Sequence, residues 1–77
     1  MKRITTPNKR VIELISILEI SPSEFSRQTS IKKSALSNYK SGLREPRVDI
    51  VCTIADTYKI NPSWLLGYDT YMYQKEE

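Results

Sequence analysis

Apolar residues recur at helical spacing near the start of the chain. The positions that follow the i, i+3, i+4, i+7 rule of one helical face are Val11, Leu14, Ile15 and Leu18. This spacing predicts a first helix over about residues 8–19, with Thr6 or Asn8 as its cap and Pro7 in its first turn. Ile12 and Ile17 widen the apolar arc, which favours packing on more than one side of the helix, with contact to a partner as the alternative.

A second, shorter helix is signalled by the residues at its start. Ser21 is a natural N-cap, Pro22 suits the first helical position, and Glu24 stands where a capping box has its acid. These residues predict a helix over residues 22–29, with Phe25 as its main apolar anchor. A break at residues 29–31 then separates it from a third helix over residues 32–41.

The third predicted helix has an apolar and a polar face. Its inward positions are Ala35, Leu36, Tyr39 and Leu43. Its outward positions are Lys33, Ser34, Ser37, Asn38 and Ser41. Serine and asparagine have lower helix propensity than the glutamate and lysine that solubility alone would favour, so this face is expected to have another role. Gly42 is predicted to end the helix in the left-handed conformation, and Pro46 favours extended backbone after it.

Two more helices complete the pattern. The fourth is predicted over residues 47–58, where the inward positions are Val48, Val51, Ile54, Ala55 and Tyr58, with Ile50 beside them. Lys59 stands where a left-handed terminator is expected. Asn61 and Pro62 cap and open a fifth helix over residues 62–66, in which Trp64 and Leu65 can close the core before Gly67 ends it.

The sequence thus predicts one all-α domain over residues 1–67 and a tail over residues 68–77. The tail is rich in aromatic residues, and its helix or strand state is left open by the pattern. Exposed tyrosine and methionine favour interfaces, so the tail is a candidate dimerisation segment; a fold back onto the domain and a linker to further sequence are the alternatives. The residues concerned are Tyr68, Tyr71, Met72 and Tyr73.

Composition narrows the classes of function. With 77 residues the chain makes one small domain, which buries only about 60% of the surface that its unfolded chain exposes. It has no histidine and only two glycines, so common zinc ligand sets and a glycine-rich phosphate loop are missing. Cys52 lies beside Val51 and is predicted to be a small buried hydrophobe rather than a nucleophile. These observations favour a binding protein with no cofactor over an enzyme.

No segment approaches the ~20 consecutive apolar residues of a membrane span, and the basic start of the chain is not followed by an apolar run of the signal-peptide type. One cysteine cannot form an internal disulfide. A reducing, cytoplasmic location is therefore expected, with no membrane partner.

Positive charge is concentrated on the second and third predicted helices. Residues 27–47 hold six cations against one carboxylate, a net charge of +5, whereas residues 1–26 carry +1 and residues 48–77 carry −3. The six cations are Arg27, Lys32, Lys33, Lys40, Arg44 and Arg47. A phosphate backbone would select such a field, although charge alone is equally consistent with a solvated basic face.

The order and separation of these signals resemble the helix-turn-helix domain of phage lambda repressor and Cro, which many small bacterial and phage regulators share. The resemblance covers about residues 8–67 and implies a compact five-helix bundle. The motifs that carry it are the start of the second helix at Ser21 to Phe25, the run Leu36-Ser37-Asn38-Tyr39 with Gly42, then Pro46, the pair Ile54-Ala55, and Trp64-Leu65-Leu66-Gly67.

The resemblance also implies roles in DNA binding. The third helix would enter the major groove and contact base edges, while the second would lie across the backbone. By position, the base contacts would be Lys33, Ser34, Ser37 and Asn38. The phosphate contacts would be Ser21, Ser23, Lys32, Lys40, Ser41 and Arg44. Lysine suits the acceptors of guanine and asparagine pairs with adenine, and Lys32 and Lys33 could exchange roles.

The chain departs from the family pattern at several positions. Pro22 replaces a glutamine that often contacts phosphate, so one side-chain donor is lost. Ser30 stands where the family prefers glycine in the turn, and Lys59 replaces another glycine. Ile15 and Lys40 occupy positions where the family often pairs arginine with glutamate, so both partners of that ion pair differ together.

The leading interpretation is a sequence-specific regulator of transcription, most simply a repressor, that binds a palindromic double-stranded DNA operator as a homodimer. One alternative is a protein-interaction module such as an antitoxin or anti-repressor. Another is the DNA-binding part of a longer repressor. Nothing in the sequence indicates a small-molecule ligand.

Overall fold

The computed structural model describes residues 2–74, which contain five helices and no regular strand. Residues 75–77, the end of the predicted tail, lie outside the described part. The helices are α1 Pro7–Leu18, α2 Pro22–Thr29, α3 Lys33–Ser41, α4 Val48–Tyr58 and α5 Pro62–Leu65. This confirms the predicted all-α fold. Among residues 2–74, no helix has the length and apolar character that crossing a bilayer requires.

The helix starts follow the predicted capping chemistry. Thr6, rather than Asn8, caps α1 by accepting a bond from the backbone N–H of Lys9 at 3.3 Å. Ser21 accepts from the N–H of Glu24 at 3.0 Å, and Asn61 accepts from the N–H of Ser63 at 3.0 Å. In each case a side-chain oxygen satisfies an N–H group that the helix itself leaves without an acceptor.

Four of the five helices end at a residue in the left-handed conformation. The positive φ predicted for Gly42 and for Lys59 is confirmed, with values of 80° and 57°. Ser30 likewise takes the left-handed value of 63° in place of the family's glycine. Glu19, which was expected to lie within the first helix, instead caps α1 at φ 55°. A non-glycine residue in this region costs about 1–2 kcal/mol.

One core lies between the helices and includes residues of all of them. Its largest fully buried side chains are Val11, Leu14, Phe25, Val51, Ile54, Ile60 and Leu65. Trp64, Leu36 and Tyr39 are also buried, as their spacing predicted. The extended Ile31, between α2 and α3, adds a further buried side chain.

Four predictions of burial were wrong. Ile17, favoured as part of a wider packed arc on the first helix, is 46% exposed. Leu43 is 74% exposed, because the left-handed Gly42 ends α3 and turns the chain away before the i+7 position can return to the apolar face. Val48 is 73% exposed, since it begins α4 at the helix tip instead of within the packed face. Cys52 is exposed because it shares the i, i+4 row of Val48, not the row of buried Val51 and Ala55.

Residues 68–74 lie against the helical domain. Tyr68 pairs with Arg3, and Tyr73 pairs with Ile60, in isolated antiparallel bridges. The N–H of Asn61 donates to the carbonyl of Met72 at 2.8 Å. Backbone hydrogen bonds therefore hold both the beginning and the end of this segment to other parts of the fold.

Arg10 is a buried cation that the sequence did not predict. Its side chain lies over the ring of Trp64, with 4.3 Å from the guanidinium carbon to the ring centroid. Its Nη2 donates to the carbonyl of Tyr68 at 3.5 Å, and its Nε lies 3.9 Å from a carboxylate oxygen of Glu13. Arg10 thus joins α1, α5 and the C-terminal segment. The sequence did contain one signal for the burial of Arg10, which is its position four residues before Leu14, at the edge of the apolar row.

Candidate nucleic-acid interface

The turn between α2 and α3 is fixed by hydroxyl groups. Thr29 donates its hydroxyl to the carbonyl of Phe25 at 2.8 Å and accepts from the N–H of Ile31 at 3.3 Å. Ser26 donates its hydroxyl to the carbonyl of Ile31. These bonds satisfy the backbone on either side of the left-handed Ser30, so the turn forms without glycine.

Aromatic packing sets the position of α2. The rings of Phe25 and Tyr58 lie 5.6 Å apart between centroids, and the Tyr58 hydroxyl donates to Gln28 Oε1 at 2.5 Å. Burial, followed by the negative charge of Glu24, raises the pKa of the Tyr58 phenol. A tyrosine phenol is protonated at neutral pH even at its ordinary pKa, so this hydroxyl can donate the bond. Through this contact α4 supports α2 from behind.

The outward face of α3 carries the four residues predicted to contact bases. Lys33, Ser34 and Ser37 are exposed, and Asn38 is half-buried. The buried Leu36 and Tyr39 hold the opposite face against the core. The structure therefore brings the four predicted base contacts to the outward side of one nine-residue helix.

The side chain of Lys33, which was predicted to contact bases, reaches α2. Its Nζ donates to the Oγ of Ser23 at 3.3 Å. The ammonium group is thus grouped with Ser23 and the N-cap Ser21, both predicted to contact phosphate, at the start of α2. Ser21 and Ser23 each use their oxygen as an acceptor, which leaves the hydroxyl hydrogen available for a phosphate oxygen. Lys32, also exposed, is the N-cap residue of α3.

The C-terminal end of α3 is organised by the carbonyl of Asn38. It accepts from the N–H of Leu43 at 2.9 Å, from the N–H of Arg44 at 3.3 Å and from the Ser41 hydroxyl at 3.1 Å. Because Ser41 has one hydrogen to donate, a phosphate contact by its hydroxyl would require rotation away from this carbonyl. Lys40 and Arg44, the other predicted phosphate contacts at this end, are exposed.

Asn8 fixes the loop after α3, a role that its position in the sequence did not indicate. Its Nδ2 donates to the carbonyl of Tyr39 at 3.2 Å and to the carbonyl of Arg44. The basic loop is thereby tied to α1. No nearby signal in the sequence connects Asn8 with a loop more than thirty residues later.

Arg47, counted among the cations but not among the predicted contacts, borders the same surface. A groove of about 430 Å³ between α3 and the start of α4 is lined in part by Asn38, Arg44 and Arg47. Tyr39 also lines it, and burial followed by the charge of Asp49 raises the pKa of its phenol. The groove therefore presents two guanidinium groups beside the amide of Asn38, together with the carboxylates of Glu45 and Asp49.

Two carboxylates offset part of the positive charge. Glu24 accepts from the Nε of Arg27 at 2.7 Å and 3.1 Å, and this hydrogen bonding raises the pKa of the arginine. Glu45 accepts from Arg3 Nη2 at 3.4 Å, across 42 residues of sequence. Arg27 is consequently neutralised within α2. The basic field is left to the exposed cations Lys32, Lys33, Lys40, Arg44 and Arg47.

The structure has the arrangement of a helix-turn-helix protein. Helix α2 is followed by a turn that hydroxyl groups hold in place, and then by α3, whose polar face points outward. Residues 17–65 match the family described as Helix-turn-helix, and the chain belongs to that Cro/C1-type family. The resemblance to lambda repressor and Cro is therefore confirmed. The family comprises DNA-binding regulatory domains and is not a family of enzymes. A comparison with curated proteins found no match.

Proposed function

We propose that the protein is a cytoplasmic repressor that binds a palindromic operator as a homodimer and reads it with α3 in the major groove. The observation that carries this proposal is the polar outward face of α3 with cations at both of its ends. Nine helical residues span about 13 Å, close to the ~12 Å width of the major groove. Cations at the two ends of α3 can therefore reach the phosphates on the two sides of one groove.

The residues divide into base readers and phosphate contacts. We assign base reading to Ser34, Ser37 and Asn38, and to Lys33 at the edge beside Ser23. Asparagine can contact adenine through two hydrogen bonds, and serine accommodates either donors or acceptors. The phosphate contacts are assigned to Ser21, Ser23 and Lys32 on one side, and to Lys40, Ser41 and Arg44 on the other.

Asn38→Ala is expected to weaken binding to the operator by about 1–3 kcal/mol while binding to random DNA stays almost unchanged. Lys40→Ala is the matched comparison, because it removes a phosphate contact and should weaken binding to both duplexes. Fluorescence anisotropy with operator and scrambled DNA at two salt concentrations measures the difference. The salt slope should fall by about one unit for Lys40→Ala and stay constant for Asn38→Ala. Equal losses on both duplexes for Asn38→Ala would exclude it as a base reader.

We assign dimerisation to the C-terminal segment, where Tyr71 is 59% exposed and Tyr73 is 53% exposed. Pairing two subunits would make binding to the second of two half-sites about 34 Å apart an intramolecular event, so the dimer would bind the operator more tightly than one subunit binds a half-site. Replacing both tyrosines by serine is expected to lower the molar mass in light scattering from that of a dimer to that of a monomer. Exposed Ile4 and Ile17, each replaced by serine, serve as controls for loss of a surface apolar group. An unchanged mass for the tyrosine variant would remove this segment from the interface.

A second candidate function is a protein-interaction module, such as an anti-repressor or antitoxin. The exposed Tyr71 and Tyr73 favour it, since tyrosine is enriched in protein interfaces. Selection of DNA from a randomised duplex library distinguishes the two functions. A protein-interaction module should recover no preferred duplex.

A further inference from the structure

A crevice runs along the surface between α1 and α3, beside the proposed base-reading face. It consists of two adjoining hollows of about 290 Å³ and 320 Å³, and Ile12 and Lys40 line both. The floor of the first hollow is formed by the apolar side chains of Ile12, Ile15, Pro22 and Leu36. Ile12 is half-buried, so part of its apolar surface remains open to a ligand.

The rim of this α1–α3 crevice is cationic. Lys33 and Lys40 border the first hollow, and Lys9 joins Lys40 at the second. The one carboxylate among the residues that line the two hollows is Glu13, which lines the second hollow but not the first. An apolar floor under an excess of ammonium groups is complementary to a molecule with an apolar tail and an anionic head.

We propose that the α1–α3 crevice binds a small amphipathic carboxylate, such as a medium-chain fatty acid. The acyl tail lies on Ile12, Ile15 and Leu36, and the carboxylate pairs with the ammonium of Lys40. An elongated ligand suits two joined hollows better than a compact one. A carboxylate is favoured over an alcohol or an amine because both hollows have lysine at the rim.

Occupancy of the crevice would act on DNA binding. Lys33, Ser37 and Lys40 line the first hollow and are also assigned to DNA contacts. A bound carboxylate would neutralise Lys40 and cover the edge of α3, so the ligand and DNA compete. This regulatory effect, unlike the binding of the carboxylate itself, rests on the proposed function.

Amide NMR spectra of the full, ¹⁵N-labelled chain without DNA test the binding directly. Decanoate below its micelle-forming concentration is the probe, with decanol and decylammonium as neutral and cationic analogues. We expect decanoate to shift the amides of Ile12, Leu36 and Lys40 and to bind at least about tenfold more tightly than decylammonium. Octanoate should bind more weakly, by up to roughly fourfold for each methylene removed. Equal binding of decanoate and decylammonium, or shifts elsewhere in the protein, would overturn the proposal.

Matched variants locate the site. Ile12→Ala should weaken decanoate binding by about tenfold, whereas Ile17→Ala, on the same helix but outside both hollows, should leave it unchanged. If Ile12→Ala lowers the melting temperature too far for titration, Lys40→Gln must show the loss of preference for decanoate over decanol. Retained preference in Lys40→Gln would contradict the assignment of the carboxylate.

Competition with DNA is measured separately, by anisotropy of a labelled duplex at increasing decanoate. We expect decanoate to displace the duplex, and the same concentration of decylammonium to leave it bound. If the chain binds no DNA but decanoate still shifts the crevice amides, the proposed function fails and the site stands. If decanoate binds in the crevice without displacing bound DNA, the regulatory part of the proposal is overturned.

Discussion

Phe25→Ala is expected to lower the free energy of unfolding by about 3–5 kcal/mol, the range for truncating a fully buried aromatic side chain. Phe25 is 0% exposed and contacts Tyr58 with 5.6 Å between ring centroids. Its removal leaves a cavity between α2 and α4. The contact between these two helices supports the helix-turn-helix from behind. Because small domains have a total stability of only about 5–15 kcal/mol, this variant should be close to unfolding at 37 °C.

Urea denaturation followed by circular dichroism measures this effect. Phe25→Leu is the control, since it keeps most of the apolar volume and should cost only about 1–2 kcal/mol. DNA binding by Phe25→Leu should remain close to that of the parent protein. If Phe25→Ala lowers the free energy of unfolding by less than about 1 kcal/mol, the α2–α4 contact contributes little to the fold.

Gly67→Ala is expected to destabilise the protein by about 3–4 kcal/mol. A Cβ at this position would lie 2.3 Å from the carbonyl oxygen of Thr5, a backbone atom that cannot move without shifting the N-terminal segment. The φ of 102° is also unfavourable for alanine, at about 1–2 kcal/mol. The shift would break the bonds from the N–H groups of Ile4 and Thr5 to the Gly67 carbonyl, at about 1 kcal/mol each.

Gly42 provides the matched control for this prediction. Its φ is 80°, but a Cβ there would meet no atom within 4 Å. Gly42→Ala should therefore cost only the conformational term of about 1–2 kcal/mol. Thermal unfolding of both variants separates steric from conformational cost. Equal destabilisation by the two substitutions would show that the approach of Thr5 to Gly67 contributes nothing.

The helical pattern predicted the fold well because most helix ends carry local chemical signals. Ser21, Asn61 and Gly42 act through bonds within a few residues, so their roles can be inferred from neighbours in the sequence. Periodicity likewise identified the buried rows of α1 and α4. It was wrong for Leu43, which lies beyond the end of α3, and for Val48, which is the first residue of α4 and lies at its tip. It was also wrong for Cys52, which shares the exposed row of Val48.

Long-range contacts account for what the sequence did not predict. The bonds from Asn8 to the loop after α3, the stacking of Arg10 on Trp64, and the pairing of Arg3 with Glu45 each join residues more than thirty positions apart. The α1–α3 crevice is of the same kind. Its apolar floor combines Ile12 with Leu36, whose proximity follows only from the packing of two helices.

The candidate DNA contacts likewise divide into features that the sequence predicted and features that depend on the folded structure. The common placement of the four predicted base contacts on the outward face of α3 follows from helical periodicity alone. The contact of Lys33 with Ser23, and the use of the Ser41 hydroxyl in the cap of α3, depend on three-dimensional geometry. These two contacts refine the expected roles: Lys33 stands at the edge beside the phosphate contacts, and Ser41 must rotate to join them.

The proposal that α3 reads a palindromic DNA sequence can be tested by selection from a randomised duplex library. The selected duplex is then titrated against scrambled DNA at two salt concentrations. We predict a palindromic sequence bound at least about a thousandfold more tightly than scrambled DNA. Weak binding that falls steeply with salt and shows no preferred sequence would contradict this function, and would mean that the basic surface of α2 and α3 is only an electrostatic patch.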